Sequence, residues 1–214
     1  MTEHKKVAWG PAMLLAPVPA VMVSCRGLSP GLDAPNIVTV AWAGAICSDP
    51  PMVSVALRKS RLSHAQISES RELVVNLVGK PLVRAMDFCG VKSGRDVDKF
   101  AACGLTALPV EDLAHAVAIA QAPLSLCCRV TQVLELGVHD LFLCAIQRVL
   151  VDEALLDEGG RLHLARAELV AYAHGTYACL DAPLGFFGYS VAAPDVLQRR
   201  MAALGIDESN IKTS

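Results

Sequence analysis

The chain has 214 residues, of which 53% are hydrophobic, and carries a formal net charge of -2 at pH 7. This length predicts one domain over residues 1–214, and the apolar content suffices for a sizeable core. The balanced charge and an aromatic content of only 5% argue against a nucleic-acid partner, because such surfaces are basic or stack bases on aromatic rings.

The N-terminal stretch, residues 1–25, combines a charged start with an apolar part, as a secretion signal does. Prolines at positions 11, 17 and 19 interrupt the apolar part, which runs directly into a strand-like segment. We therefore expect no signal peptide. An uncharged apolar run of about 18 residues, the length of a membrane-spanning helix, is also missing. The expected location is cytoplasmic, with no membrane partner.

Short Val-rich segments separated by turn residues predict a set of β-strands. They are Ala20–Cys25, Ile37–Ala45, Met52–Leu57, Leu73–Val78, Ser125–Leu136 and Leu141–Leu150. The last two flank GVHD, residues 137–140, which we interpret as a hairpin connection. Strands therefore dominate the predicted fold.

Helices are fewer, and Pro and Gly mark several of their ends. The candidates are Leu62–Ser70 with Ser63 as its N-cap, Pro81–Cys89, Asp96–Cys103, Pro194–Leu204 and the ambiguous, Ala- and Val-rich Glu111–Ala120. The order lacks a regular alternation of strand and helix. It favours a closed or half-closed β-barrel decorated by helices over a doubly wound sheet.

The eight cysteines form no CxxC pair, and none has a histidine at zinc-ligand spacing. We expect buried, reduced thiols and no metal site. A Ser/His/Asp hydrolase is disfavoured because no GxSxG motif is present.

Two loops combine cations with hydroxyls beside predicted helix starts. They are RKSRLS, residues 58–63, and KSGRDVDKF, residues 92–100. Helix N-termini offer free N–H groups and a partial positive charge, so cations and hydroxyls placed there suit a phosphate. A solvated turn is the alternative for each loop. Neither matches a Walker A motif or a GxGxxG fingerprint.

Polar and aromatic residues also interrupt the apolar strand predicted over Ile37–Ala45. In an extended strand Asn36 and Trp42 share one face. An amide at Asn36 suits the edge of a heterocycle, with Trp42 as an apolar wall beside it. The alternative is that Trp42 fills the core and Asn36 caps a turn, and the residues alone leave both open.

Several of these segments together resemble the flavin reductase-like family, and its flavoredoxin members in particular. They are NIVTVAWAG followed by SDPP, then RKSRLS, CGVKSGRDVDKF, the late hairpin GVHDLFLCAIQRV and the segment HGTYACLDAPLGFFGYS. The similarity runs from about Pro17 to Ser190. It implies a mainly β fold, an FMN-binding split β-barrel of Greek-key type with inserted and flanking helices. It also implies a homodimer with FMN in a groove near the subunit interface.

The resemblance assigns the flavin contacts residue by residue. They are Asn36, Thr39 and Trp42 at the ring and ribityl chain with Ser48 nearby, Arg58, Ser60, Arg61 and Ser63 at the phosphate, and Ser93, Gly94 and Lys99 closing over it. Some relatives place a lysine in the first loop near the position of Ser60. Here Lys59 and Arg61 flank Ser60, which leaves open which cation meets the phosphate.

Two histidines are further candidates. His139, beside Asp140, is a candidate to contact a nicotinamide or other substrate, or the partner subunit. Its near-neutral pKa would make such a contact sensitive to pH. The alternative is an ordinary hairpin residue. His174, which precedes Gly175, is a candidate near the flavin.

These features predict an FMN-dependent oxidoreductase in which FMN carries the redox chemistry and the protein supplies placement and charge. In the enzyme alternative, NADH or NADPH is the transient electron donor, and a small molecule or a redox protein accepts the electrons. In the carrier alternative, tightly bound FMN exchanges electrons with other redox proteins without direct oxidation of NAD(P)H. A cofactor-free binding module on the same fold is the third alternative.

Overall fold

The computed structural model describes residues 4–180 and 182–206. In chain order, the strands and α-helices are β1 (Val18–Pro19), β2 (Val21–Cys25), β3 (Asn36–Val40), β4 (Ala43–Ser48), β5 (Pro51–Arg58), α1 (Leu62–Ser70), β6 (Glu72–Leu77), α2 (Val83–Val91), α3 (Lys99–Cys103), β7 (Ala107–Pro109), β8 (Val117–Ile119), β9 (Leu124–Glu135), β10 (His139–Val151), β11 (Val170–Ala173), β12 (Thr176–Cys179) and α4 (Pro194–Ala203). Short 3₁₀ helices span Lys80–Leu82, Glu153–Leu155, Leu164–Ala167 and Tyr189–Val191.

Seven strands form one antiparallel sheet in the order β3-β2-β6-β9-β10-β5-β4. Laid flat, such a sheet would separate its two edge strands by about 29 Å, since neighbouring strands lie about 4.8 Å apart. Only Ala41 and Trp42 connect the edge strands β3 and β4, and the three Cα–Cα steps from Val40 to Ala43 span at most about 11 Å. The sheet is therefore curled so that the end of β3 lies near the start of β4, and the predicted mainly β barrel with helices is confirmed.

Two hydrophobic clusters lie on opposite faces of this curled sheet. Val38, Val55 and Phe142 belong to the cluster inside the curl. Ile37 and Met86 belong to the second cluster, where β3 packs against α2. Successive β3 residues thus point into different apolar layers, which explains why this edge strand is buried on both faces.

The strand predicted over Ile37–Ala45 is two strands, and that prediction was wrong in its continuity. Pairing with β2 ends where Val40 lies opposite Val21, and pairing with β5 begins where Ala43 lies opposite Val55. The chain bends between them because the two halves belong to opposite edges of the sheet.

The helix predicted over Glu111–Ala120 was also wrong. The carboxylate of the buried residue Glu72 accepts the backbone N–H groups of Ala114, His115 and Ala116 at 3.1, 2.8 and 3.2 Å. These bonds hold the segment as a turn, since the same N–H groups are no longer available to a helix. The chain then enters β8, which pairs with β7.

Helix starts differ from the prediction in two places. Ser63 is not the N-cap of α1, because that position belongs to Arg61 and Ser63 is fully buried one step inside the helix. The helix predicted from Asp96 begins at Lys99, where the Asp98 side chain accepts the N–H of Ala101 at 3.1 Å and caps it. His139 lies inside β10, so the connection between β9 and β10 is residues 136–138.

The described chain divides into two compact units, the first ending at Cys179 and the second beginning at Leu180. The first also holds the small sheets β1-β11-β12 and β7-β8. In the second, which includes α4, the Arg200 guanidinium lies 4.1 Å from the centre of the Phe186 ring. A single domain over the whole chain stays a prediction. Within the described residues, every helix is too short or too polar to cross a bilayer.

Candidate functional site

Two adjoining cavities follow β3 and the loop between β5 and α1. The smaller, of about 260 Å³, is lined mainly by cations and hydroxyls. Its polar lining residues are Asn36, Arg58, Ser60, Arg61, Ser63, Lys92, Ser93, Arg95 and Lys99. The larger, of about 460 Å³, is lined by β3, Trp42, His139 and Tyr172. Val38, Arg58 and Arg61 line both, so the two cavities form one groove.

The start of α1 gives the smaller cavity its anion-binding character. Arg61 is the N-cap but makes no side-chain cap hydrogen bond, and the first turn holds no acidic residue. The N–H of His64 already donates to the Arg61 carbonyl at 3.0 Å, so the N–H groups of Leu62 and Ser63 are the ones that this helix start can offer, with the partial positive charge of a helix N-terminus. With Arg58 and Arg61 lining the same space, this end of the groove can bind a phosphate.

The two cationic loops converge on Asn36, at the beginning of β3. The buried Asn36 amide donates from Nδ2 to Ser63 Oγ at 2.9 Å. On its other side a Cβ atom at Gly94 would lie 2.2 Å from Asn36 Oδ1, so a larger residue there would displace the Asn36 amide or the loop. Arg95 joins the loops a second time, because its Nη1 donates to the Ser60 carbonyl at 3.1 Å. Asn36 therefore supports both loops instead of capping a turn.

Lys99 lines the smaller cavity but is committed mostly to the backbone. Its Nζ donates to the carbonyls of Ile37 and Cys89 at 2.6 and 2.7 Å, and the residue is 3% exposed. Burial lowers the pKa of Lys99, and the nearby charge of Arg61 acts in the same direction. An ammonium has three donors. Two of them tie β3 to α2, which leaves one for a ligand.

The sequence had left open whether Lys59 or Arg61 faces the phosphate end, and the side-chain contacts distinguish the two. The Lys59 ammonium lies 2.8 Å from Glu135 and 3.4 Å from Asp140, and Lys59 lines neither cavity of the groove. Arg61 lines both. Of the two, Arg61 is therefore the cation at this end, together with Arg58 of the same loop and with Lys92, Arg95 and Lys99 from the second loop.

An exposed indole and an imidazole flank the larger cavity. Trp42 is 42% exposed, so it does not fill the core. Its ring centroid lies 4.5 Å from that of His139, with the planes tilted by 55°. Partial burial and the charge of Arg58, which lies opposite His139 in the ladder, lower the pKa of His139. This favours a neutral imidazole at neutral pH.

Three residues predicted to contact the flavin have other surroundings than the lining residues described above. Thr39 lines the larger cavity, but its hydroxyl donates to the Met86 carbonyl of α2. Ser48 is exposed at the end of β4 and lies outside both cavities. His174 lines a neighbouring cavity of about 160 Å³ together with Trp42 and Tyr172. The flavin-binding role of each predicted residue stays a prediction.

The sequence reasoning missed Tyr172 as a site residue. It lies opposite Tyr177 in the β11–β12 hairpin, and their ring centroids are 5.8 Å apart. The signal was present as two tyrosines placed symmetrically about the His174–Gly175 turn. It was not used because a hairpin places its aromatic pair against the groove only through contacts distant in sequence.

All eight cysteines are free thiols. The expectation of buried thiols holds for Cys25, Cys89, Cys127, Cys128 and Cys144, whereas Cys103 is half-buried and Cys47 and Cys179 are exposed. Burial raises the pKa of the Cys25 and Cys144 thiols to about 12, which disfavours a reactive thiolate. Among the described residues, no group of three or more metal-ligating side chains is gathered as a metal site.

Comparison with known proteins relates this chain to flavin proteins. A family described as "Flavin reductase like domain" matches residues 13–180. Flavoredoxin of Desulfovibrio vulgaris (Miyazaki F) superposes with a TM-score of 0.78 at 29% identity, over 87% of this chain and 99% of that one. FMN reductase (NADH) RutF of Shigella sonnei is 28% identical over 137 residues, which are 59% of this chain and 84% of its own length.

A monooxygenase component is similar as well. The reductase component of a 4-nitrophenol 4-monooxygenase/4-nitrocatechol 2-monooxygenase from Rhodococcus opacus is 29% identical over 112 residues. The match covers 52% of this chain and 56% of that component.

Proposed function

The chain belongs to the flavin reductase-like family, and from that premise we propose that the groove binds FMN for electron transfer. The family and its relatives support flavin oxidoreductase activity. The observation that supports FMN as the ligand of the groove is that two chemically different cavities adjoin each other. One is lined by guanidinium groups at an uncapped helix start, and the other by an exposed indole.

The residues present fit the two halves of FMN. A phosphate dianion requires cations and N–H donors, which Arg58, Arg61 and the first turn of α1 supply. A planar heterocycle requires an apolar wall and polar groups at its edges. Trp42 supplies the wall. Residues 38–40 of the edge strand β3 line the same cavity, and an edge strand has backbone groups on its outer side that its neighbour β2 does not use.

The protein's own contribution is binding, charge and control of water, since bound FMN supplies the hydride or single-electron chemistry. Arg58 and Arg61 neutralise the phosphate, and Asn36 keeps the two loops together around it. Neutral His139 offers a ring nitrogen at the open side of the larger cavity, where a substrate would approach. No side chain is required to transfer a proton when a hydride moves to the flavin ring.

The first experiment is an absorbance spectrum of the freshly purified protein, with the extracted cofactor identified by mass. A flavin spectrum and the mass of FMN are expected. Colourless protein that gains no flavin absorbance or fluorescence change on addition of FMN would refute the proposal and support a cofactor-free module.

For the direction of electron flow, we favour an NAD(P)H-dependent reductase that passes electrons to a small molecule or a redox protein. The similarity to RutF and to the monooxygenase reductase component supports this assignment. The specific alternative is a flavoredoxin-like carrier, supported by the superposition with flavoredoxin. Mixing anaerobic FMN-loaded protein with NADH or NADPH in a stopped-flow instrument separates them. Rapid bleaching is expected for the reductase, and bleaching only with a reduced ferredoxin-like protein for the carrier.

We further propose a homodimer. Large apolar side chains remain exposed in the described chain, among them Trp9, Leu15, Leu136 and Val138, which are 78, 75, 61 and 71% exposed. A symmetric partner would cover such surface. Sedimentation velocity is expected to give twice the chain mass, and a monomer at all concentrations would contradict this. A cytoplasmic location also stays a prediction.

A further inference from the structure

The loop that supplies the phosphate-side cations is anchored by two residues that do not line the groove. Lys59 directly follows β5, and His64 lies in the first turn of α1. Ser60 and Arg61 lie between them and line the smaller cavity. The direction in which this short loop presents its cations therefore depends on what holds its two ends.

Both ends meet the same carboxylate. Asp140 is the second residue of β10 and is 5% exposed. Its Oδ2 lies 2.8 Å from His64 Nε2, and its Oδ1 lies 3.4 Å from Lys59 Nζ. Lys59 also contacts the exposed residue Glu135 at 2.8 Å. A buried carboxylate with two partners is costly to leave unpaired, so this contact resists opening.

The geometry around His64 restricts the contact further. The His64 ring meets the buried ring of Phe142 edge-on, with centroids 5.3 Å apart and planes at 72°. Burial raises the pKa of Asp140, but the hydrogen bond from His64 and the nearby charge of Lys59 outweigh it and hold that pKa below its usual value. The carboxylate is therefore ionised at neutral pH and oriented by a packed imidazole.

Asp140 also follows the residue that borders the other end of the groove. His139 contacts Trp42, and successive strand residues point to opposite faces. The dipeptide thus places an imidazole beside the larger cavity and a carboxylate against the loop behind the smaller one. One strand start supports both ends of the groove.

We propose that Asp140 is a positioning residue for phosphate binding, acting through Lys59 and His64 on the loop between β5 and α1. It draws the Lys59 ammonium away from the groove and holds the start of α1, so that Arg58, Arg61 and the first-turn N–H groups face the ligand. This role rests on the proposed FMN site. It makes the affinity for the phosphate depend on a carboxylate that never touches it.

The sign of one substitution tests the proposal. Asp140→Asn removes a negative charge close to the phosphate site, so electrostatics alone predicts tighter FMN binding. If Asp140 acts by positioning, FMN binding weakens instead, by about tenfold, which is the loss of one charge-assisted contact. Riboflavin, which lacks the phosphate, should keep its affinity within about twofold. Dissociation constants for both ligands are measured by fluorescence quenching, with circular dichroism as the check on folding.

Two further variants keep the test decisive. Glu135→Gln makes the same chemical change at the exposed partner of Lys59 and should leave both affinities unchanged. His64→Leu removes the hydrogen bond that orients Asp140 and leaves every cation that lines the smaller cavity in place. His64→Leu should weaken the binding of FMN more than that of riboflavin, and this result can be measured even if the Asp140 variant fails to fold.

The outcomes separate this proposal from the FMN assignment. Unchanged or tighter FMN binding in folded Asp140→Asn, or equal losses for FMN and riboflavin, would overturn the positioning role. A wild-type protein that binds both flavins equally would refute the phosphate site, and this proposal with it. A wild-type preference for FMN that survives both the Asp140 and His64 substitutions refutes only the role of Asp140.

Discussion

Replacement of Arg61 by Ala tests whether the smaller cavity serves a phosphate. Arg61 is the N-cap of α1 and lines both cavities of the groove. Its side chain makes no cap hydrogen bond, so the substitution removes no capping hydrogen bond from the helix start. The substitution should therefore change ligand binding more than stability. FMN should bind more weakly, whereas riboflavin should bind almost as before.

The magnitude follows from the kind of contact. A hydrogen bond to a charged group contributes roughly 1.5–3 kcal/mol, which corresponds to about 10- to 150-fold in the dissociation constant. Arg61 is half-buried, and solvent screens it in part. Arg58 and the first-turn N–H groups also remain. We therefore expect the lower end, about tenfold, for FMN.

The assay is a fluorescence titration of apoprotein with FMN and with riboflavin, each at low salt and at about 0.5 M salt, where screening shortens the range of charge interactions. The quantity compared is the ratio of the two dissociation constants. Lys80→Ala is the matched control, because Lys80 is an exposed cation that lines neither cavity. It should leave the ratio unchanged.

Equal weakening of FMN and riboflavin by Arg61→Ala would refute the reasoning, because a phosphate contact acts only on the ligand that has a phosphate. An unchanged ratio together with a lowered melting temperature would show that Arg61 supports the fold instead.

Three other substitutions or reagents probe the same structure. Gly94→Ala places a Cβ 2.2 Å from Asn36 Oδ1, so the Asn36 amide or the loop must shift, and FMN should bind more weakly in a fluorescence titration. Gly90→Ala is a milder control because its Cβ would lie 3.1 Å from its nearest neighbour. Full retention of FMN affinity in Gly94→Ala would contradict the close contact. Lys99→Met leaves two buried carbonyls without their donor. It should lower the free energy of unfolding by about 2–6 kcal/mol in urea titration, at about 1–3 kcal/mol per unsatisfied group, and a loss below about 1 kcal/mol would count against this reasoning. A disulfide thiol reagent at neutral pH should modify Cys47 and Cys179 rapidly in native protein, and rapid reaction of more than three thiols would show that the core is open.

Much of the site could be predicted from local sequence. The two cationic loops, the indole at Trp42 and the histidine at the start of β10 were all found as candidates, and all line or border the groove. Helix starts, turn residues and side-chain chemistry act over a few positions, so a short stretch suffices to recognise them. The family resemblance, carried by the same stretches, is confirmed by the match over residues 13–180.

The errors have a common cause in distant partners. The segment at Glu111–Ala120 has a composition that suits a helix, but Glu72 takes its N–H groups from more than 40 residues away. The segment Ile37–Ala45 has the composition of one continuous strand, but its first half pairs with β2 and its second half pairs with β5. The role of Lys99 at the phosphate, which the resemblance implies, stays a prediction, and Lys99 does line the smaller cavity. Its burial against two carbonyls depends on how α2 packs on β3.

The sequence by itself determined which chemical groups this protein brings to its groove, because residue type sets charge and hydrogen-bonding capacity. Only the tertiary structure decided which of those groups face the groove. Lys59 and Arg61 are two residues apart, yet the Lys59 ammonium lies beside Asp140, 81 residues away along the chain in β10, while Arg61 remains at the cavity. A side chain's direction is the outcome of competition among partners, and the strongest partners here come from strands brought together by the curl of the sheet.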